Sequence, residues 1–281
     1  MKRTKSGSYF RRLTLKTDLF TIGKFTLHGY GTMIVIGFVI ALLVATYRAK
    51  RYKLNDSAVV DLSIIAIVCG FLGAKILFVI TEFKNFLKDP LSVIGSSGFV
   101  VYGGIIGGVL CCLIYCKVKK LYFLDYFDLV MPEVAIAQAF GRIGCFLAGC
   151  CYGKETTSSL GVVFPHGCVA PASVKLIPTQ LYSAIGDMLI AIILIIIAHK
   201  LSHAAVSSRE ESISNTTHLL RGEIGCLYMM LYGIGRFIIE FFRNDNRGTI
   251  GSLSTSQFIS IFIVLFGIGI MIFNRIRHKE S

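Results

Sequence analysis

Apolar residues run along this chain in blocks, and polar residues gather between the blocks instead of alternating with them. Blocks at about 29–47, 58–80, 99–116, 129–149, 180–199, 223–242 and 255–274 approach the roughly 20 residues that a helix needs to cross hydrocarbon. Only helices and closed barrels satisfy every backbone group inside a bilayer, and no period-2 alternation is present to build a barrel. The expected fold class is therefore an all-α, polytopic integral membrane protein with about seven transmembrane helices.

The polar stretches mark the connections. RAKRYK ends the first block, Asp89-Pro90 followed by SSG stops a helix in the 81–98 connection, and KVKK follows the third block. Pro132 near the start of the fourth block suits a helix start or a kink. Residues 150–178 hold three of the five prolines and read as a structured outer loop. Residues 200–222, rich in Ser and Thr, read as a flexible cytoplasmic loop, and 1–24 as a basic arm or short interfacial helix ahead of a transmembrane domain over 25–281. Nothing in the first 25 residues resembles a cleaved signal peptide, so the first block is expected to remain as a membrane helix.

Composition agrees with a membrane span count of this size. Charged residues make up 16% and mean hydropathy is +0.70, against about a quarter charged in a soluble domain. The formal charge of +13 sits mainly in the tail and connections, without the basic-aromatic interleaving of a nucleic-acid surface, so nucleic acid is excluded as a partner and anionic lipid headgroups are expected instead. With the first span starting outside, the inner connections carry four, three, three and three Lys or Arg and the outer ones two each. That bias predicts the amino terminus outside and the carboxyl terminus in the cytosol of a multi-pass membrane protein, although the basic 1–24 segment runs against it.

Three cations remain inside the apolar blocks: Lys75, Arg142 and Arg236. Charge at that depth needs an anion, a carboxylate or a watery cavity. Glu133, Asp187, Glu223 and Glu240 are the nearby acids, and Arg236 and Glu240 stand four residues apart on one helix face. Structural ion pairs are the bland reading; the functional one is a clamp for a phosphate headgroup, with forked arginine donors and a lysine point charge. Tyr30, Tyr102 and Gln180 near the block ends are interfacial anchors or hydrogen-bond partners for lipid. Gly103 and Gly104, in VVYGGIIGG, serve close helix packing or let a headgroup approach the main chain. Cys150, near Arg142, is a candidate nucleophile, with a small packing side chain as its plain alternative. The adjacent pair Cys150 and Cys151 suits neither a mutual disulfide nor a spaced metal motif; His166 and Cys168 nearby make a zinc site the minor alternative, and no metal, redox cofactor or nucleotide is expected.

Several motifs in order along the chain carry a family resemblance: GRIGCFLAGCCYG from Gly141 to Gly153, PTQLYSA from Pro178 to Ala184, and YGIGRFIIEFFR from Tyr232 to Arg243, supported by HGYGTM, GFLGAK and VVYGGIIGG. Together they resemble the prolipoprotein diacylglyceryl transferases over nearly the whole length after the first 20 residues. The resemblance implies a bacterial cytoplasmic-membrane enzyme that moves diacylglyceryl from phosphatidylglycerol, or a related anionic phospholipid, to the lipobox cysteine in a prolipoprotein signal peptide, releasing glycerol phosphate. Tyr30, Arg142, Gln180, Tyr182, Arg236, Glu240 and Arg243 carry over. Arg142, Arg236 and Glu240 are then expected in catalysis, with Tyr102 and Cys150, and Tyr30, Lys75, Gly103, Gly104, Cys145, Gln180, Tyr182 and Arg243 in substrate binding. Tyr102 stands where the family reads His before its glycines, Cys145 where GRIGN has Asn, Cys150 where an acid is usual, and Lys75 where GAR has Arg. Those departures keep a transferase with a non-lipobox acceptor as the alternative, with a lipid-binding protein or transporter behind it. The residues leave the oligomeric state open.

Overall fold

The computed structural model describes residues 18–22, 25–207, 221–244 and 248–279. The expected basic arm over 1–17, and 208–220 of the expected cytoplasmic loop, lie outside these residues. The described chain opens with an antiparallel hairpin, β1 (Asp18–Ile22) and β2 (Phe25–His28). Residues 18–22 are thus a strand and not part of an interfacial helix. A run this short is a poor isolated helix, and Phe, Thr and Ile favour strands.

Helices dominate from there. α1 (Gly29–Arg51) is followed by α2 (Asp56–Thr81), whose first turn is capped by the Asn55 side chain accepting from the Ala58 N–H at 3.2 Å. The next connection contains two short helices, α3 (Phe83–Lys88) and α4 (Pro90–Gly95). Asp89 ends the first and caps the second by accepting from the Ser92 N–H at 3.1 Å, with Pro90 in the first turn. Then come α5 (Val101–Val118), α6 (Phe123–Ala148), the paired strands β3 (Val162–Val163) and β4 (Lys175–Leu176), α7 (Thr179–Ser207), α8 (Glu223–Glu240), the paired strands β5 (Thr249–Ile250) and β6 (Leu253–Ser254), and α9 (Thr255–Lys279). Because α6 begins at Phe123, Pro132 lies inside it and does not open it.

Six of the described helices, α1, α2, α5, α6, α7 and α9, are long and apolar enough to cross a membrane. α8 fills the block expected as a further span, but its 18 residues include Glu223, Arg236 and Glu240. Large side chains such as Leu43, Phe71, Ile76 and Phe266 are exposed. Along a membrane-spanning helix these are the groups that face lipid.

The chain divides into two compact units. One comprises Ala41–Glu133 and Lys200–Gly225. In it α2 and α5 approach backbone to backbone: a β-carbon on Gly103 would stand 2.3 Å from the Gly73 carbonyl oxygen, and one on Gly104 2.9 Å from that of Gly70. Gly103 and Gly104 therefore serve helix packing, and the side they turn to α2 has no room for the headgroup that the substrate-binding expectation gave them. A core of Ala45, Ala49, Ala58, Val59, Leu62, Cys116, Tyr126 and Leu129 adjoins them in this unit. Arg48 is buried here as well, pairing through Nη1 with Glu133 and donating to the Leu129 carbonyl at 3.0 Å. Asp128 accepts from the N–H groups of Gly222 at 2.6 Å and Gly225 at 2.8 Å, which caps the start of α8.

The other unit holds residues up to Ile40, Val134–His199 and those from Cys226 on. Residues 149–178 have a small core of their own in it, where Phe164, Ala170 and Leu176 bury against Phe146 at the end of α6. Gly233 lets α8 approach α9, since a β-carbon there would stand 2.6 Å from Val264 Cγ2.

Replacing Gly103 by Val puts a branched side chain into the α2 backbone and is expected to lower stability by about 1–3 kcal/mol or more, the scale of an overpacked site. Thermal melts in detergent check it. Gly269→Ala in α9, where a β-carbon meets nothing within 4 Å, should leave the melting temperature unchanged or raise it.

Candidate active site

The unit containing residues 134–199 gathers most of the residues singled out by sequence. Its organising stretch is the second half of α6, which presents Gln138, Arg142 and Cys145 on successive turns. Gly144 lets α1 come close: a β-carbon would stand 3.1 Å from the Tyr30 carbonyl oxygen and 3.3 Å from Met33 Cβ. Tyr30, half exposed, is thereby set against the signature segment. Gln138 accepts from the Tyr228 hydroxyl at 2.7 Å, tying α6 to α8.

A cavity of about 190 Å³ opens between α6, α7 and α8, lined by Arg142, Tyr182, Ser183, Gly186, Asp187, Tyr232, Gly235 and Arg236 with Ile190, Ile238 and Ile239. Helical spacing explains the lining: Ser183, Gly186 and Asp187 share one face of α7, and Tyr232, Gly235, Arg236 and Ile239 share one face of α8. Arg236 is partly buried and engaged, with Nη1 2.8 Å from Glu240 Oε2 and Nη2 donating to Ser256 Oγ at 2.8 Å. Glu240 thus orients an arginine, the role its i, i+4 spacing suggested. Arg142 has Asp187, Tyr232 and Cys145 in its electrostatic surroundings, yet makes no hydrogen bond or close ion pair among the described residues. Asp187 is buried, and its Oδ2 is likewise without a hydrogen bond there. The cavity therefore combines an apolar wall with an arginine whose forked donors are uncommitted.

Beyond α6 the chain turns sharply. Gly149 has φ +66° and Cys151 φ +61°, and the turn brings the thiols of Cys145, Cys150 and Cys151 within 4.8 Å of one another. Gln180, buried at the start of α7, donates from Nε2 to the Cys150 carbonyl at 2.6 Å, and its Oε1 has no partner among the described residues. Thr179 Oγ1 donates to the Cys151 carbonyl at 2.8 Å. Arg243 is buried, pairs with Gly153 through a backbone bridge and hydrogen-bonds Cys151. Hydrogen bonding to Cys145 and Cys151, with burial, pushes the Cys150 thiol above its ordinary range. Hydrogen bonds from Cys145 and Cys150, helped by Arg243, hold Cys151 below it. Cys150 is also directed at a carbonyl, that of Cys145, 3.7 Å away. These features weigh against Cys150 as an activated nucleophile.

Lys75 and Tyr102 belong to the unit of residues 41–133. Lys75 Nζ donates to the Ser96 carbonyl at 2.7 Å, to Ser96 Oγ at 3.4 Å and to the Gly98 carbonyl at 3.3 Å, and it lies over the rings of Phe78 and Phe99. It anchors the end of the 81–98 connection, so its expected share in a headgroup clamp is taken by main-chain acceptors. Tyr102 is half exposed in the first turn of α5.

Sequence reading gave too little weight to Asp187, Tyr232 and Cys151. Asp187 was legible as an acid seven residues after Gln180 on the same helix face; Cys151 joins the site only through a left-handed turn that spacing does not reveal. His166 and Cys168 are not members of the three-thiol group, although Cys168 packs on Gly149.

Fold and site define a multi-pass helical membrane protein with an arginine-lined cavity suited to an anionic amphiphile. The chain matches the family model described as prolipoprotein diacylglyceryl transferase over residues 17–273. It is 42% identical over 269 residues, 95% of this chain and all of the relative, to a protein of Clostridium tetani named phosphatidylglycerol–prolipoprotein diacylglyceryl transferase. A Clostridium perfringens protein of that name, numbered 2, is 41% identical over 91% of this chain and 94% of its own length, and one from Listeria monocytogenes is 33% identical over 91% and 88%. The chain belongs to the prolipoprotein diacylglyceryl transferase family.

Asp187 is the carboxylate among the cavity-lining residues. Asp187→Asn should therefore tighten retention of an anionic phospholipid on the order of tenfold or more, the scale of one unit charge removed at close range. Competition between phosphatidylglycerol and a zwitterionic lipid, read by native mass spectrometry, measures the change.

Proposed function

We propose that this chain transfers the diacylglyceryl group of phosphatidylglycerol to the lipobox cysteine thiol of a prolipoprotein and releases glycerol phosphate. The observation that carries the reading is the cavity in which Arg142 makes no close bond among the described residues while Arg236 is held by Glu240 and Ser256. The names of relatives 41–42% identical over most of the chain support it.

In this reading the lipid phosphate lies between Arg142 and Arg236, with the acyl chains along the isoleucines of α7 and α8. The precursor sulfur attacks the glycerol carbon next to the phosphate, a C–S bond forms, the C–O bond breaks, and the charge collecting on the departing phosphate oxygen is met by guanidinium donors already in position. Asp187 keeps the two cations from repelling each other before lipid arrives. A positive surrounding raises the thiolate fraction of the incoming cysteine. Tyr30, Tyr182 and Gln180 Oε1 supply neutral hydrogen bonds to the glycerol. Transfer is direct, without a diacylglyceryl thioether intermediate on the protein.

Turnover of purified protein in phosphatidylglycerol bilayers, followed as glycerol phosphate release, tests this. Release should require a lipobox peptide and vanish with its Cys→Ser version. Arg142→Gln should lower turnover by about 10²–10³-fold, the scale for removing one transition-state donor, with Arg142→Lys between it and the parent. Glycerol phosphate release that ignores the peptide would favour a different acceptor, to which the departures at Tyr102, Cys145 and Cys150 give some physical basis.

The same reading puts the start of α1 on the outer face and the end of α9 in the cytosol, supported by Arg48, Lys50 and Arg51 in the last turn of α1 and Arg275, Arg277 and Lys279 near the end of α9. A carboxyl-terminal fluorescent reporter that matures only in the cytosol should glow; a dark, intact fusion reverses the orientation.

A further inference from the structure

The transferase reading makes no use of three thiols held together. We propose that Cys145, Cys150 and Cys151 form a three-thiolate site for one thiophilic divalent metal ion of the zinc or cadmium type.

Geometry comes first. The three sulfur atoms lie within 4.8 Å of one another. Metal–sulfur bonds of about 2.3 Å hold their sulfurs roughly 4 Å apart, so closure needs about 1 Å of side-chain adjustment. Three protein thiolates leave a fourth position open for water or an outside thiol, and thiolate donors select this class of ion over magnesium or calcium.

The backbone is built to hold that arrangement before any ion arrives. Cys150 N–H bonds the Cys145 carbonyl at 3.1 Å, folding the chain back on the last turn of α6. Thr179 and Gln180 grip the carbonyls of Cys151 and Cys150, the kind of outer support that fixes ligands around a metal. Cys151 keeps a β-carbon in the left-handed region at φ +61°, which a non-glycine residue adopts only against strain. Glycine would relieve that strain, as Gly149 does two residues earlier, and would delete the third thiol.

Charge balances as well. Three thiolates and a divalent ion sum to one negative charge, and the buried Arg243 already hydrogen-bonds Cys151. An ion pair of this kind keeps the occupied site neutral in a place of low dielectric. None of the nine cysteines is in a disulfide, so none of the three is consumed by one.

The test uses the full chain purified in detergent, stripped by a chelator and titrated with Cd²⁺. A sulfur-to-cadmium charge-transfer band of three-thiolate intensity should saturate at one equivalent per chain. C145S, C150S and C151S should each lose it, while C116S and C168S keep it, and Thr179→Val should weaken the affinity about tenfold. To separate lost ligands from lost fold, the unaltered chain is alkylated with and without Cd²⁺ and mapped by mass spectrometry. Bound metal should shield Cys145, Cys150 and Cys151 and leave the other six unchanged. Absence of the band, shielding spread over other cysteines, or two of the three thiols joined as a disulfide in the freshly isolated chain overturns the site.

Discussion

A guanidinium cannot give up its proton in a protein, so each one drawn into an apolar slab dictates what must stand beside it. Arg48 is met by Glu133 and the Leu129 carbonyl. Arg236 is met by Glu240 and Ser256, one turn along its own helix and on α9. Lys75 finds main-chain carbonyls at Ser96 and Gly98. The arrangements of Arg48 and Lys75 close on themselves away from the cavity, whereas Arg236, held by its partners, stays in the cavity lining. Arg142 is different, because its surroundings contain an acid without a close bond to it. The place where pairing is incomplete is where an outside anion gains most.

Incomplete pairing is useful only on a rigid frame, since a loose arginine would reach for the nearest acid. Within its unit, α6 is fixed to α1 by the close approach at Gly144 and to α8 by Tyr228 and Gln138. The turn after α6 is gripped by the first two residues of α7. Arg142 sits between those anchor points, on a helix that cannot easily rotate it toward Asp187. Preorganisation of this sort keeps donors aimed at a charge that develops during reaction, without reorganisation at that moment.

Much of the fold was legible because bilayer thickness imposes one length on every span: the apolar blocks correspond to α1, α2, α5, α6, α7, α8 and α9. What block length does not encode was missed. The strand 18–22, the two short helices within 81–98 and the start of α6 at Phe123 depend on local capping and pairing. Arg48 read as part of a solvated basic run, and its burial follows from Glu133 lying 85 residues away. Arg142, Arg236 and Glu240 were recognisable because charge inside an apolar block has few innocent explanations. Lys75 satisfied the same rule and is nonetheless structural, since carbonyls at a helix end accept from a lysine as well as a phosphate does. Gly103 and Gly104 illustrate the limit of a small-residue motif, which marks a close approach without saying what approaches.

The cysteines change how the cavity has to recognise its lipid. Amide and carboxylate groups, usual in the family at positions 145 and 150, make strong directional hydrogen bonds; thiols make weak ones. With Cys145 and Cys150 turned toward each other and toward a carbonyl, the proposed transfer leaves neutral hydrogen bonding to a headgroup to Gln180 and the tyrosines. Discrimination among lipids then leans on charge, through Arg142, Arg236 and Asp187. Charge separates anionic from zwitterionic headgroups sharply, but one anionic headgroup from another only weakly, because hydroxyl placement is read by hydrogen bonds left unpaired in the wrong complex. Under the proposed function, a donor site of this composition selects the class of anionic phospholipid first and the glycerol headgroup second.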